Sequence, residues 1–245
     1  MKSPSRPKAP LPLPQKTERR LSTYALAASA AGVSALALSG TADAKIVYTP
    51  THVVMNSSND VYHPLDLNHD GVKDFTFTAY HKTGMSSQFA ILRCGPLGTN
   101  SVLGGPTSAR RGGDAAAFPP GVHIGAGRSY ANHNTMAHVG IFTDGSSIQG
   151  PWANGGKGVK DRYLGLKFAI NGKTHYGWAR LNVAIGRDIG VYIKATLTGY
   201  AYETVPNKAI ITGKTKGPDV ITVQPGTLGH LARGAMAGQN SSSAR

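Results

Sequence analysis

The chain of 245 residues is basic, with 26 Lys and Arg against 12 Asp and Glu and a formal net charge of +14. Its single cysteine, Cys94, excludes an intramolecular disulfide, and a buried structural thiol is favoured over a nucleophile. The basic residues are scattered and match no nucleic-acid-binding motif, so we predict no nucleic-acid partner. The charge is compatible with acidic polysaccharide or envelope components as partners, but a merely solvated basic surface is the interpretation we favour.

Residues 1–44 have the pattern of a signal peptide. A basic, Pro-rich segment (1–20) precedes an apolar, Ala-rich segment (21–38), and Ala42-Asp43-Ala44 is an A-x-A cleavage site. A transmembrane helix is the alternative, but the apolar segment contains four Ser and Thr residues and is short for a bilayer. Cleavage removes six positive and two negative charges and lowers the net charge from +14 to +10. We predict a secreted, periplasmic or cell-surface protein with no stable membrane span after cleavage.

Short β-strands are predicted along the first part of the mature chain. The segments 45–55, 75–80 and 89–93 are rich in β-branched and aromatic residues, and F-T-F-T-A-Y alternates with a period of two. The segment 95–134 is dense in Gly, Pro, Ser and Ala, so we expect long loops across one end of the fold, with a short strand near 121–124. Another strand is expected at 139–143.

An acidic loop at 66–74 matches the pattern D-x-N-x-D-G-x-x-D and contains three of the ten acidic residues that follow Ala44. Oxygen ligands at alternate positions converge on a hard cation, and Gly71 permits a sharp turn, so the loop predicts a structural calcium site. The predicted ligands are the side chains of four residues and the carbonyl of a fifth: Asp66, Asn68, Asp70, Asp74 and, through its carbonyl, Val72. Phe77 stands where an EF-hand has Glu, and the alternative is an Asx-stabilised turn without metal.

A β-hairpin is predicted at 163–183, where two alternating segments flank Asn171-Gly172, a type I′ turn signal. A two-residue turn pairs Ile170 with Lys173 and Phe168 with His175. One face then carries Leu164, Leu166, Phe168, Ile170, Ala179, Leu181 and Val183. The other face carries candidate ligand-binding residues for sugar stacking, but we favour the alternative that Trp178 covers the bare backbone at Gly165 or that the face packs beneath a loop: Tyr163, Tyr176, Trp178 and Arg180.

The segment 190–203 alternates throughout and predicts a long strand beside the hairpin. Its pattern places Val191, Ile193, Ala195, Leu197 and Ala201 on one face, and Tyr192, Lys194, Thr196, Tyr200 and Tyr202 on the other. Many short strands with Gly- and Pro-rich connections predict an all-β fold, an antiparallel β-sandwich of jelly-roll type. We expect one domain at 45–222 and a flexible tail at 223–245.

No catalytic motif is present, so no catalytic residue is assigned and a non-enzymatic protein is predicted. His123, His133 and His138 have spacings that fit no zinc motif. Glu203 is the only glutamate after residue 44. Four further aspartates show no pairing, and a hydrolase in the Gly-rich loops is the less favoured alternative: Asp114, Asp144, Asp161 and Asp188.

Four segments together resemble a group of uncharacterised secreted bacterial proteins, many of which carry PEP-CTERM-type sorting tails. They are D-L-N-H-D-G-V-K-D-F-T-F, the hairpin Y-L-G-L-K-F-A-I-N-G-K-T-H-Y-G-W-A-R-L-N-V, Y-A-Y-E and I-I-T-G. The resemblance implies an extracellular β-sandwich with no assigned enzymatic activity, and Q-P-G-T-L-G-H-L-A-R-G-A is similar to the start of a sorting tail. We therefore expect an exported, calcium-stabilised surface or matrix protein, with a carbohydrate-binding module as the alternative.

Overall fold

A computed structural model describes residues 45–104, 114–131, 134–187, 190–216 and 218–223. The predicted signal peptide (1–44) and the predicted tail beyond Val223 lie outside the described residues, as do His133 and Asp188. The described residues all belong to one unit of the chain, Ala44–Arg245. They form β-strands joined by turns and by two 3-10 helices, Ser57–Asn59 and Asn154–Gly156.

The predicted hairpin consists of β9 (Val159–Ile170) and β10 (Lys173–Gly186). Asn171 and Gly172 adopt φ values of 49° and 73°, as a type I′ turn requires. Ile170 pairs with Lys173 and Phe168 with His175, which confirms the predicted register. The turn therefore determines which side chains of the hairpin share a face.

Sheet A contains the hairpin and four more strands: β1 (Ile46–Asn56), β5 (Ser101–Val102), β11 (Tyr192–Glu203) and β13 (Val220–Thr222). The six strands follow the order β13-β1-β11-β10-β9-β5. Among the described strands of this sheet, β13 and β1 are the one parallel pair. Sheet B has the order β2-β3-β4-β7-β8 and is antiparallel. Its strands are β2 (Val61–Leu65), β3 (Phe75–Thr83), β4 (Ser87–Pro96), β7 (Thr135–Phe142) and β8 (Gly145–Gln149).

The main core lies between the two sheets. Leu164, Leu166 and Phe168 of sheet A belong to the same buried cluster as Phe77 and Leu92 of sheet B. The whole apolar face predicted for the hairpin contributes to this cluster, with Ile170 only partly buried. The predicted all-β antiparallel sandwich is confirmed. Cys94 is fully buried in this core, and burial raises the pKa of its thiol far above the ordinary value, as expected of a structural cysteine.

The predicted face assignment for β11 is wrong beyond Leu197 because the strand contains a β-bulge. Arg180 pairs with Gly199 and Leu181 with Leu197, so Thr198 is an extra residue on β11. Each residue after the bulge therefore changes face. Tyr200 and Tyr202 pack against the main core, whereas Ala201 lies on the outer face of sheet A.

A third layer covers the part of the outer face of sheet A that carries the rings of β9 and β10. It is built from the part of the Gly-rich segment that follows β5 and from the small sheet of β6 (His123–Ile124) with β12 (Ile210–Ile211). Leu103 and Ile124 lie so close to Gly165 that a Cβ there would be 3.1 and 3.0 Å from their side chains. The short strand near 121–124 is confirmed, but the segment covers a sheet face, not one end of the fold as predicted, because its apolar side chains bury the aromatic rings of β9 and β10.

Candidate functional site

The acidic loop joins β2 to β3 and is anchored in the core at both ends. Leu65, Leu67 and Phe75 are 2, 0 and 0% exposed. The Leu67 side chain lies against Gly177 of β10, where a Cβ would be only 2.8 Å from Leu67 Cδ2. The N–H of Asp74 donates to the carbonyl of Leu65 at 2.9 Å and closes the base of the loop. The loop therefore has a fixed position between the two sheets.

Backbone N–H groups converge on the first two aspartates. Asp66 accepts hydrogen bonds from the N–H groups of His69 and Gly71, at 2.7 and 2.8 Å. These two donors have φ values of 63° and 87°, and this left-handed geometry turns their N–H groups toward Asp66. Asp70 accepts from the N–H of Val72 at 2.8 Å and from Asn68 Nδ2 at 2.9 Å, and these bonds lower the pKa of its carboxyl. The turn is thus built from Asx hydrogen bonds.

Asp74 lies on the core side of the loop and is only 6% exposed. Its Oδ2 accepts from the N–H of Leu67 at 2.8 Å, and its Oδ1 accepts from Asn100 Nδ2 at 3.3 Å. Burial raises the pKa of the Asp74 carboxyl, and the negative charges of Asp66 and Asp70 raise it further. These two hydrogen bonds oppose the increase only in part. Three carboxylates in one loop therefore repel each other at neutral pH.

Asn68 has an unsatisfied oxygen within this turn. Its Oδ1 is buried, and no described group donates a hydrogen bond to it, while its Nδ2 is used by Asp70. A buried acceptor without a donor costs about 1–3 kcal/mol, and a cation is one way to satisfy it. The five predicted ligands do not all lie together in the structure. Asp66, Asn68 and Asp70 share one turn, whereas Asp74 faces the core and the side chain of Val72 is 64% exposed.

The candidate ligand atoms suit a hard cation, because every one of them is oxygen. Within the described ranges, however, no group of three or more His, Cys, Asp and Glu side chains is arranged to hold a metal ion. A calcium ion at this loop would therefore draw on Asn68, backbone carbonyls and water in addition to carboxylates, which is usual for calcium.

The loop also contacts the end of sheet A. A hydrogen bond of 2.9 Å joins His69 Nε2 to Thr49 Oγ1, and the His69 ring lies 5.7 Å from that of Tyr200. Burial raises the pKa of Tyr200 and of Tyr202, and the charge of Asp66 adds to both increases. The bulge at Thr198 turns these two tyrosines toward the loop. The charge of the loop therefore acts on two tyrosines of sheet A.

The predicted stacking face of the hairpin is buried. Trp178, Tyr176 and Tyr163 are 0, 4 and 5% exposed and form a second cluster beneath the Gly-rich layer. Arg180 is half-buried and donates to Thr198 and to the Tyr48 hydroxyl. Trp178 pairs with Gly165 and Tyr176 with Lys167 across the hairpin. The buried rings do not present a surface on which a sugar could stack. The structure instead agrees with the interpretation that this face packs beneath a loop, because the third layer fills the space above Gly165.

The remaining candidate residues do not form a group. His123 is exposed on β6, and His138 lies on the outer face of sheet B. Asp114 is buried, whereas Asp144 and Asp161 are exposed. Glu203 is 2% exposed, and its carboxylate accepts from the N–H of Val205 and lies 3.7 Å from Lys208 Nζ. The sole glutamate after residue 44 therefore has a structural role at the end of β11.

Comparison of the chain with protein-family models, curated proteins and solved structures finds no match.

Proposed function

We propose that this chain is an exported, non-enzymatic β-sandwich of the cell surface or extracellular matrix, and that its acidic loop binds one calcium ion. The observation that carries the proposal is the buried Oδ1 of Asn68, which lacks a donor among the described residues and lies in a turn with Asp66 and Asp70. An oxygen ligand is left without a partner where negative charge is concentrated. A hard divalent cation would coordinate the unpartnered oxygen and would also offset the negative charge.

Calcium at this position would act on stability. Asp66, Asp70 and Asp74 repel each other, and the bound cation would offset that repulsion. Because Leu67 of the loop packs on Gly177 of sheet A and the loop joins two strands of sheet B, fixing the loop strengthens the contact between the sheets. A ligand that binds only the folded state raises its stability by mass action.

Export is supported by the signal-peptide pattern at 1–44 and by the cleavage site before Lys45. None of the helices in the described part of the chain has the length and apolar character needed to cross a bilayer. Export has its own test: the protein is expressed with its native N-terminus, and the N-terminus of the product outside the cytoplasm is read by mass spectrometry. We expect a product that begins at Lys45, and an uncleaved product that stays in the cytoplasm would contradict export.

The calcium site is tested by thermal unfolding of the full chain in CaCl₂ and in EGTA. At a free calcium concentration one hundred times the Kd, we expect a stabilisation of about 2.7 kcal/mol, or about 5 to 10 °C in Tm. Asp70→Asn keeps an acceptor for the N–H of Val72 but removes a charge, so the calcium response should fall sharply while the Tm in EGTA changes little.

Asp144→Asn is the matched control, because Asp144 is exposed in the turn between β7 and β8 and should leave the calcium response intact. An equal Tm in CaCl₂ and EGTA for the wild-type protein would refute calcium binding. An equal reduction of the response in both variants would show that the loop is not the site.

A further inference from the structure

The outer face of sheet B carries a group of rings that the sequence patterns did not identify as a site. We call this group the aromatic strip. It crosses the strands of sheet B and consists of Tyr62, Tyr80, Phe89, His138 and Phe142. The centroids of Tyr80 and Phe89 are 6.4 Å apart, and those of Phe89 and His138 are 5.9 Å apart. These distances are those of rings in contact.

Two neighbouring residues give the strip its shape. Ile91 pairs with both Tyr80 and His138 and is only 6% exposed, so it forms an apolar floor between two rings. Gly140 pairs with Phe89, and a Cβ there would be 2.7 Å from the ring of Phe142. The bare backbone of Gly140 therefore lets the Phe142 ring lie flat on the sheet and extend the strip.

The strip is accessible, in contrast to the outer face of sheet A. Tyr62 on the edge strand β2 is 70% exposed. Tyr80, Phe89 and Phe142 are half-buried, as expected of rings that lie on a sheet with one face toward solvent. Trp178 and its neighbours on sheet A, by comparison, are buried by the third layer.

The charge on this face is positive. The five strands of sheet B contain no Asp or Glu within their ranges. Arg93 and Lys82 are exposed on the same face as the rings, and the Arg93 guanidinium lies 5.7 Å from the centroid of the Tyr80 ring. Tyr62, Thr78 and Arg93 occupy one row across three adjacent strands. Two exposed cations thus lie beside the rings on this face.

We propose that this face binds an anionic polysaccharide. Exposed aromatic rings on a flat sheet fit the apolar faces of sugar rings, and a planar guanidinium beside them fits a carboxylate or sulfate group. Two exposed cations are few for a nucleic acid, whose binding depends on neutralising many phosphates. An acidic peptide would use the cations but would leave the rings without a matching surface. The chemistry of the face therefore favours a sugar polymer of moderate charge density.

This proposal uses a different surface from the acidic loop and does not depend on calcium. It is tested by titrating the full chain with polygalacturonate and with its fully methyl-esterified form, which has the same backbone without the charge. We expect binding to polygalacturonate and at least about tenfold weaker binding to the ester, both measured in EGTA because calcium cross-links polygalacturonate through its carboxylates.

Two substitutions test the residues. Tyr62→Ala and Arg93→Gln should each weaken binding to polygalacturonate about tenfold, because each removes one element of the row. Both side chains are exposed, so the Tm should change little. Tyr62→Phe should retain affinity. The matched control is Lys194→Gln, which removes the same charge from an exposed position on the outer face of sheet A.

Several outcomes would overturn the proposal. One is no binding to polygalacturonate by the wild-type protein. Another is an equal loss of affinity in Lys194→Gln and Arg93→Gln, which would indicate general attraction to a basic protein. Binding of single-stranded DNA or polyglutamate as tightly as polygalacturonate, at equal salt, would assign the face to a different class of polyanion.

Discussion

Arg180 holds the β-bulge at Thr198 with three hydrogen bonds. Arg180 Nε donates to Thr198 Oγ1 at 2.7 Å, and Nη2 donates to the Thr198 carbonyl at 3.1 Å. The Thr198 hydroxyl in turn donates to the Arg180 carbonyl at 3.2 Å. Because the bulge reverses the faces of the residues that follow, these bonds help to direct Tyr200 toward the acidic loop.

The bulge can be tested with Thr198→Val, which keeps the shape of the side chain and removes the hydroxyl. Two of the three hydrogen bonds are lost and the Arg180 guanidinium keeps only its carbonyl partner on β11, so we expect the free energy of unfolding to fall by about 1–3 kcal/mol. Thr196→Val is the control, since Thr196 lies on the same strand and is also half-buried. Urea unfolding measures both, and an equal effect would remove any special role for Thr198.

The contact between the acidic loop and sheet A predicts a large effect of one methyl group. In Gly177→Ala the new Cβ would lie 2.7 Å from the Ala201 carbonyl and 2.8 Å from Leu67 Cδ2. Overpacking of this kind costs about 1–3 kcal/mol. Gly95→Ala is the matched control on β4, because the nearest atom to its Cβ would be 3.8 Å away. Chemical denaturation should separate the two variants, and similar stabilities would argue against a tight loop contact.

The two tryptophans are both fully buried but differ in one hydrogen bond. Trp152 Nε1 donates to the carbonyl of Ala115 at 3.1 Å, whereas Trp178 Nε1 has no acceptor among the described residues. Trp152→Phe leaves a buried carbonyl without its donor, and Trp178→Phe does not. We therefore expect Trp152→Phe to be the more destabilising by about 1–3 kcal/mol. Equal losses in denaturant unfolding would contradict this assignment of partners.

Some of these features follow from local sequence and others do not. Asn171-Gly172 determines a turn by itself, so the hairpin register and both of its faces could be predicted. The bulge at Thr198 could not, because it depends on Arg180 of another strand and leaves the alternation of the sequence unchanged.

The outer faces of the two sheets also could not be predicted fully from local sequence. Burial of Trp178 depends on Leu103 and Ile124, which belong to a segment without periodicity, so the sequence left the choice between binding and packing open. The aromatic strip combines rings from β2, β3, β4 and β7. The alternation of F-T-F-T-A-Y does predict that Tyr80 lies on the other face of its strand from Phe75 and Phe77. The neighbouring rings, however, come together only through strand pairing.

The raised pKa of Asp74 predicts a dependence of stability on pH. A carboxyl whose pKa is higher in the folded state binds a proton more readily there than in the unfolded state. Lowering the pH through that folded pKa therefore stabilises the fold, and the gain is complete below the unfolded value of about 3.9. At neutral pH the charged Asp74 bears the full cost of burial and of repulsion from Asp66 and Asp70.

Asp74→Asn removes this charge and keeps an oxygen that accepts from the N–H of Leu67, but it replaces the oxygen that accepts from Asn100 Nδ2 with an NH₂ group. In EGTA, the stability of the variant relative to the wild-type protein should be highest near neutral pH and should fall as the pH decreases toward about 4. Asp219→Asn is the control, and we expect it to show the opposite pH dependence. The hydrogen bond from Lys214 lowers the pKa of Asp219, so the charged Asp219 stabilises the fold and this stabilisation is lost as the pH falls. Urea unfolding at several pH values measures both differences. A pH-independent gap between the wild-type protein and Asp74→Asn would show that the pKa of Asp74 is not raised in the folded state.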